Sequence, residues 1–281
     1  MCVTCGCQAP QDHSHSHDHD HDHGHAHEHE QAFQAGADRP RGLGVFRPAI
    51  RTVSVEQDLL AKNDRFAALN RQRFAAEGVL ALNLVSSPGS GKTTLLVHTL
   101  DALRDRRPVA VVEGDQQTRL DADRIAATGA PVVQLNTGKG CHLDAHQVGH
   151  ALAELTLPAG GVLFIENVGN LVCPAAFDLG EAHKVVMLSV TEGDDKPLKY
   201  PDMFRAADLC LITKIDLLPY VPFDVSRAMR HAREVNPTLQ CLALSVMSGT
   251  GCEEWLAWLE RELAGPARRG QPATLSGGAT V

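Results

Sequence analysis

The sequence predicts an α/β protein with a doubly wound, mostly parallel sheet, and three observations carry that prediction. From Val79 onward, short apolar runs alternate with amphipathic stretches. The apolar runs are continuous, as in strands covered on both faces. Behind the first of them stands Ser86-Ser87-Pro88-Gly89-Ser90-Gly91-Lys92-Thr93-Thr94. It ends a strand and opens a helix, which is the setting a phosphate-binding loop requires. Hydrophobic residues make up 43% of the 281, enough for a substantial core.

Taken in order, residues 1–40 hold almost no aliphatic side chains and are expected to be disordered without metal. In 51–77, Val55, Leu59, Phe66, Leu69 and Phe74 recur at spacings near three, four and seven, the stripe of an amphipathic lead-in helix. A nucleotide-binding domain is expected over 78–264. Its strand candidates are Val79–Val85, Val109–Val112, Val132–Leu135, Val162–Ile165, Val185–Val190, Leu209–Thr213 and Leu242–Ser245. Helices are expected over 93–105, 118–128, 142–155, 198–206, 223–234 and 252–263. The stretch 265–281 is rich in Gly, Pro and Ala and reads as an unstructured tail.

Most of the formal charge of −8 comes from the residues before Arg39. Asp12, Asp18, Asp20, Asp22, Glu28, Glu30 and Asp38 precede Arg39 with no Lys or Arg among them, and removing these seven leaves about −1. No basic stripe speaks for nucleic acid. No apolar run is long enough to span a membrane, and no apolar segment marks a secretory signal. A reducing cytoplasm is the expected setting, with the eight cysteines as thiols or metal ligands.

In the phosphate loop, which Pro88 opens, small residues let Gly89, Ser90, Gly91 and Thr94 bring backbone amides against phosphate, aided by the helix N-terminus. Lys92 would neutralise the β and γ oxygens and Thr93 would ligate Mg²⁺. Ser86 occupies the position where the pattern wants Gly. Asp115 follows the second strand as a switch carboxylate or, alternatively, a solvated turn acid. Glu166 ends the fourth apolar strand, where it can hold Mg²⁺ or orient the attacking water; the alternative is a simple strand-end acid. The Gly169 amide can meet a γ-phosphate. Lys92, Asp115 and Glu166 are thus the expected catalytic groups. Base choice falls to Thr213-Lys214-Ile215-Asp216, because a carboxylate accepts from the guanine N1 and N2 donors that adenine lacks. Ser245 is expected behind the base.

Two kinds of metal ligand stand apart from these. Cys2, Cys5 and Cys7 place three thiolates in one short loop. With one nitrogen they suit square-planar Ni²⁺, and tetrahedral Zn²⁺ is the alternative. His13, His15, His17, His19, His21, His23, His25, His27 and His29 alternate with small and acidic residues as a weaker, many-fold site. Cys141-His142 and Cys173 lie in loops that follow parallel strands, so both should emerge at the carboxyl edge of the sheet. Together they can form a site coupled to the nucleotide. Cys210 and Cys241 sit in apolar strands and read as core. His146 and His150 follow His142 at helical spacing and read as surface residues.

These residues together closely resemble the hydrogenase nickel-incorporation GTPase family (HypB). The most specific pieces are Glu166-Asn167-Val168-Gly169-Asn170-Leu171-Val172-Cys173-Pro174 and Ser189-Val190-Thr191-Glu192-Gly193-Asp194-Asp195-Lys196-Pro197-Leu198-Lys199-Tyr200-Pro201. The resemblance implies a P-loop GTPase of the signal-recognition-particle-like, dimerising branch, in which Thr213 is an accepted variant. It implies slow hydrolysis of GTP to GDP and a tight nickel site at Cys2, Cys5 and Cys7. It also implies a second nickel or zinc site at Cys141, His142 and Cys173 on a GTP-linked homodimer interface. Implied partners are the accessory protein HypA and the hydrogenase large subunit precursor. A urease-type nickel-insertion GTPase and a nickel or zinc storage protein are the alternatives.

Overall fold

The computed structural model describes residues 49–115, 119–138 and 140–265. Cys2, Cys5, Cys7, the nine alternating histidines and the tail beyond Gly265 lie outside the described residues. The chain divides into Met1–Val53 and Ser54–Val281. Among the described residues, every strand lies in the second unit, as do all helices apart from the opening residues of the first.

A long helix α1 (Ala49–Glu77) precedes β1 (Leu80–Ser86), α2 (Lys92–Leu103), β2 (Val109–Asp115), α3 (Leu120–Ala126) and β3 (Val132–Asn136). Then come α4 (Ala145–Glu154), β4 (Val162–Glu166), β5 (His183–Ser189), α5 (Lys196–Lys199) and α6 (Pro201–Ala206). The chain continues through β6 (Leu209–Thr213), α7 (Val225–Val235), β7 (Gln240–Ala243) and α8 (Cys252–Ala264). The strands form one seven-stranded parallel sheet in the order β3-β2-β4-β1-β5-β6-β7. The chain winds outward from β1 to β3, returns to β4, and then winds outward on the other side. The loops after β1, β4 and β5 therefore meet at the switch point, where open α/β sheets collect ligands.

Successive strand residues alternate between two cores. Leu82, Leu84, Val111 and Phe164 pack under α2 and under Trp255 and Trp258 of α8. Ala81, Val112, Leu163 and Ile165 face Val148 and Leu152 of α4 and Phe74 of α1. Beyond β1, Val186, Leu188, Cys210 and Ile212 are covered by Met203, Phe204 and Ala228. No helix among the described residues is long and apolar enough to cross a membrane.

Three local departures from expectation have physical causes. Leu59 and Leu69 are 58% and 60% exposed, so of the stripe read from its apolar spacing α1 buries Phe74, half-buries Phe66 and leaves the two leucines outside. Its inner face is Asn63, Ala67, Asn70 and Phe74, because the asparagines satisfy backbone groups of the neighbouring loops. The helix expected over 142–155 starts at Ala145. Asp144 caps it by accepting from Gln147 N–H at 2.8 Å, while Gln147 Oε1 accepts from Asp144 N–H at 3.0 Å. That cap leaves Cys141 and His142 in the preceding loop. The expected 198–206 helix is two short ones, parted at Pro201, whose missing N–H cannot continue a ladder.

Candidate functional site

The phosphate loop turns through Gly89 at φ +74° and Gly91 at φ +97°, left-handed conformations that favour glycine. Lys92 reaches back to donate to Ser86 Oγ at 2.9 Å, so the residue replacing the expected glycine cradles the ammonium. Burial lowers the Lys92 pKa, with Glu166 the strongest opposing influence. The loop is held from its flanks. Thr213 Oγ1 donates to Ser90 O at 2.8 Å and Lys214 Nζ to Gly89 O at 2.6 Å. Lys214 itself adopts φ +61°. Ser90 Oγ donates to Glu192 Oε1 at 2.6 Å, and Glu192 also takes Ser189 N–H at 3.0 Å.

On one side of this loop lies a cavity of about 310 Å³ lined by Ser90, Gly91, Thr94, Leu95, Thr213, Lys214, Asp216, Leu217, Leu244, Ser245, Val246 and Met247. Its walls are largely apolar, and Asp216 is its carboxylate. Ser245 Oγ fixes that carboxylate by donating to Asp216 Oδ1 at 2.5 Å. A flat aromatic base with paired donors fits this lining. Ser245 lies beyond β7, which ends at Ala243, and its N–H bonds Thr250 O across a turn.

On the other side is a polar pocket of about 260 Å³ bounded by Pro88, Gly89, Lys92, Glu113, Asp115, Asp121, Glu166, Asn167 and Gly169, among others. Thr93 Oγ1 donates to Glu166 Oε1 at 2.7 Å. Burial pushes the Glu166 carboxyl up to about 7 against the pull of Lys92 and Thr93. Burial likewise carries Glu113 up to about 8, and repulsion from Glu166, Asp115 and Asp121 adds to it. Asp115 closes β2, its carbonyl taking Thr137 N–H at 2.9 Å. The Gly169 backbone lies against Pro88, 3.0 Å from where a Cβ would sit. The loop after β4 therefore touches the phosphate loop directly.

The same loop runs on to a cluster of sulfur and nitrogen. Cys141 Sγ and Cys173 Sγ are 2.7 Å apart, Cys141 Sγ and His142 Nδ1 are 3.5 Å apart, and all three ligand atoms lie within 4.8 Å of one another. Neighbouring Cys173 and burial raise the Cys141 thiol pKa, while burial lowers that of His142. The His142 ring packs against Phe177, with centroids 4.0 Å apart and the planes tilted by 42°. Two soft sulfurs and an imidazole suit a borderline-soft cation. His146 and His150 pair with each other on the exposed face of α4, Nε2 to Nε2 at 3.1 Å.

Residues to which the sequence assigned no role join the two sites. Asn167 Oδ1 accepts from Leu143 N–H at 3.0 Å, next to His142, and Asn170 Nδ2 donates to Cys141 O at 3.1 Å. Asn167 Nδ2 donates to Asn83, whose own amide donates to Glu181 at 3.0 Å. From behind, α1 clamps both loops. Asn63 donates to Asp178 O and accepts from Ala145 N–H, and Asn70 donates to Ala145 O and Leu179 O. The visible signal was a polar residue inside an apolar run, as at Asn83 in Leu80–Val85 and Glu113 in Val109–Asp115.

Residues 80–243 match the nucleotide-binding domain of the CobW/HypB/UreG family. The hydrogenase maturation factor HypB of Azotobacter vinelandii is 66% identical over 212 residues, 75% of this chain and 70% of that one. Its counterpart in Escherichia coli K12 is 62% identical over 212 residues, 75% and 73% of the two chains. The crystal structure of HypB from Helicobacter pylori in complex with nickel aligns with a TM-score of 0.69 at 41% identity, covering 72% of this chain and 95% of that one. A seven-stranded parallel sheet, a phosphate loop at its switch point and a Cys-Cys-His cluster beside it thus agree with the sequence matches: the chain belongs to the HypB family of hydrogenase maturation factors.

Proposed function

We propose that this chain is a cytoplasmic GTPase that binds nickel and passes it towards the active site of a [NiFe]-hydrogenase during maturation. The observation that carries this reading is the single loop from Glu166 to Cys173, which borders the phosphate pocket at one end and supplies a thiol to the Cys141–His142–Cys173 cluster at the other. Nickel is the cargo, with zinc its competitor for the same soft donors.

Asp216 accepts the guanine donors while Ser245 holds its rotamer. Lys92 and the loop amides bind the phosphates, and Lys92 neutralises charge that grows on the oxygens as the bond to the terminal phosphate breaks. Thr93, Asp115 and Glu166 would hold Mg²⁺, which supplies further charge neutralisation when bound. The buried hard-oxygen donors there, including a Glu166 Oε2 that meets no donor among the described residues, fit such a cation. A γ-phosphate drawn to the Gly169 amide moves the segment that carries Asn167, Asn170 and Cys173. The hydrogen bonds to Leu143 N–H and Cys141 O pass that movement to the other two ligands. A homodimer closed by GTP, with delivery through HypA to the large subunit precursor, completes the reading. Cys2, Cys5, Cys7 and the histidine stretch gather the metal.

The test is nickel titration of a full-length variant with Cys2, Cys5 and Cys7 changed to Ser and the nine tract histidines to Gln. Metal affinity at the remaining site should differ between GDP and a non-hydrolysable GTP analogue by about 5- to 150-fold, with the same factor appearing in nucleotide affinity. Equal affinities would make the protein a nickel or zinc store that carries a GTPase.

A further inference from the structure

We propose that Glu113 is a further carboxylate of the divalent-cation seat at the nucleotide, which it completes together with Glu166. The proposal rests on the reading that nucleotide enters with Mg²⁺. Glu113 and Glu166 are direct register partners on the adjacent parallel strands β2 and β4. Their Cα atoms therefore lie about 4.8 Å apart, with both side chains on one face of the sheet. They are 2% and 3% exposed, and both line the phosphate pocket.

Each has one oxygen accounted for. Glu166 Oε1 accepts from Thr93, and the Glu113 carboxyl is hydrogen-bonded by Gln134. The Oε2 atom of each meets no hydrogen-bond donor among the described residues. Buried polar atoms are nearly always paired, and two adjacent carboxyls with an unpaired oxygen apiece are a poor scaffold. Lys92, which lines the same pocket, is bonded to Ser86 Oγ instead. A hard cation, taking carboxylate oxygens directly or through its bound water, satisfies both orphaned atoms at once. Asp115, two residues on from Glu113, sits at the strand's end with a carbonyl committed to Thr137. Glu113 is the deeper of the two and stands opposite Glu166.

The experiment uses the full chain with GDP and takes Mn²⁺ as the probe, read by electron paramagnetic resonance of the free ion. Only the GDP-dependent increment is scored, because the histidine tract takes up metal irrespective of nucleotide. GDP affinity in EDTA is measured separately. Glu113→Gln should weaken Mn²⁺ binding about 10- to 100-fold without a matching loss of GDP affinity in EDTA. Glu113→Asp, which keeps the charge on a shorter arm, should fall between. Mn²⁺ affinity in Glu113→Gln equal to that of the unmodified protein overturns the proposal. So does a loss of GDP affinity in EDTA that parallels the loss of Mn²⁺, since that marks a role in shape alone. If the Gln variant does not fold, the Asp variant decides by the same criteria. Failure of the unmodified protein to bind GDP, or to take up Mn²⁺ with it, overturns the nucleotide reading first and this proposal with it.

Discussion

Glu181 and Glu166 are both buried acids, yet their surroundings differ in kind. Glu181 is satisfied by the chain itself: Asn83 donates to Oε1 at 3.0 Å, Leu179 N–H to Oε2 at 2.6 Å, and Lys184 Nζ lies 3.8 Å away. Glu166 has Thr93 on one oxygen and no donor among the described residues on the other. Burial raises the pKa of both. Depth alone does not separate a structural acid from one facing a ligand. The census of partners does: the scaffold closes every bond of Glu181 and leaves one oxygen of Glu166 open beside the polar pocket.

The contrast between the two acids fails if removing a partner from the closed set does no harm. Lys184 donates to the carbonyls of Pro174 and Phe177 at 2.8 and 3.1 Å as well as facing Glu181. Lys184→Ala should therefore destabilise the fold by about 3–5 kcal/mol, read from denaturant unfolding. A loss below about 1 kcal/mol would contradict the structural role. Lys92→Ala, on the open side, should cut GTP turnover by about 10²- to 10³-fold while the unfolding midpoint stays put. Hydrolysis that persists would remove Lys92 from the phosphate site.

Asn70→Ala should cost about 1–3 kcal/mol, because it leaves buried carbonyls of Ala145 and Leu179 without their donor. The smallest effect concerns His183, whose pKa is raised by Asp208 and by Glu262, the nearer at 3.0 Å. A raised folded pKa means that its stabilisation is complete below the ordinary imidazole range and is lost as pH climbs through the raised value. The stability difference between the unmodified protein and His183→Gln should thus shrink between about pH 6 and pH 8, by less than about 1 kcal/mol. A difference that grows over that range reverses the assignment.

Strand positions were legible because burial on both faces leaves an unbroken apolar run, as in Val162–Ile165 and Leu209–Thr213. Edges were less so. The seventh strand runs from Gln240 to Ala243 rather than through Ser245, since it pairs on one side only and its apolar content does not mark where pairing stops. The loop cysteines could be read as a cluster because both loops had to leave the same edge of a parallel sheet. The asparagines that tie these loops together could not. Asn63 and Asn70 lie on a helix whose exposed leucines mimic a core face, and a polar residue bonding distant carbonyls leaves no periodicity.

The α1 clamp also bears on where the protein can be cut. The family match runs from 80 to 243, which invites use of that span as a minimal unit. Such a fragment would discard Asn63 and Asn70, which brace the segments around both soft-ligand loops, and Trp255 and Trp258, which seal the opposite face of the sheet. The span that the family model matches is thus shorter than the span whose side chains cover the sheet and brace its loops. A shortened chain meant to retain the Cys141–His142–Cys173 cluster needs α1 at its front and α8 at its back.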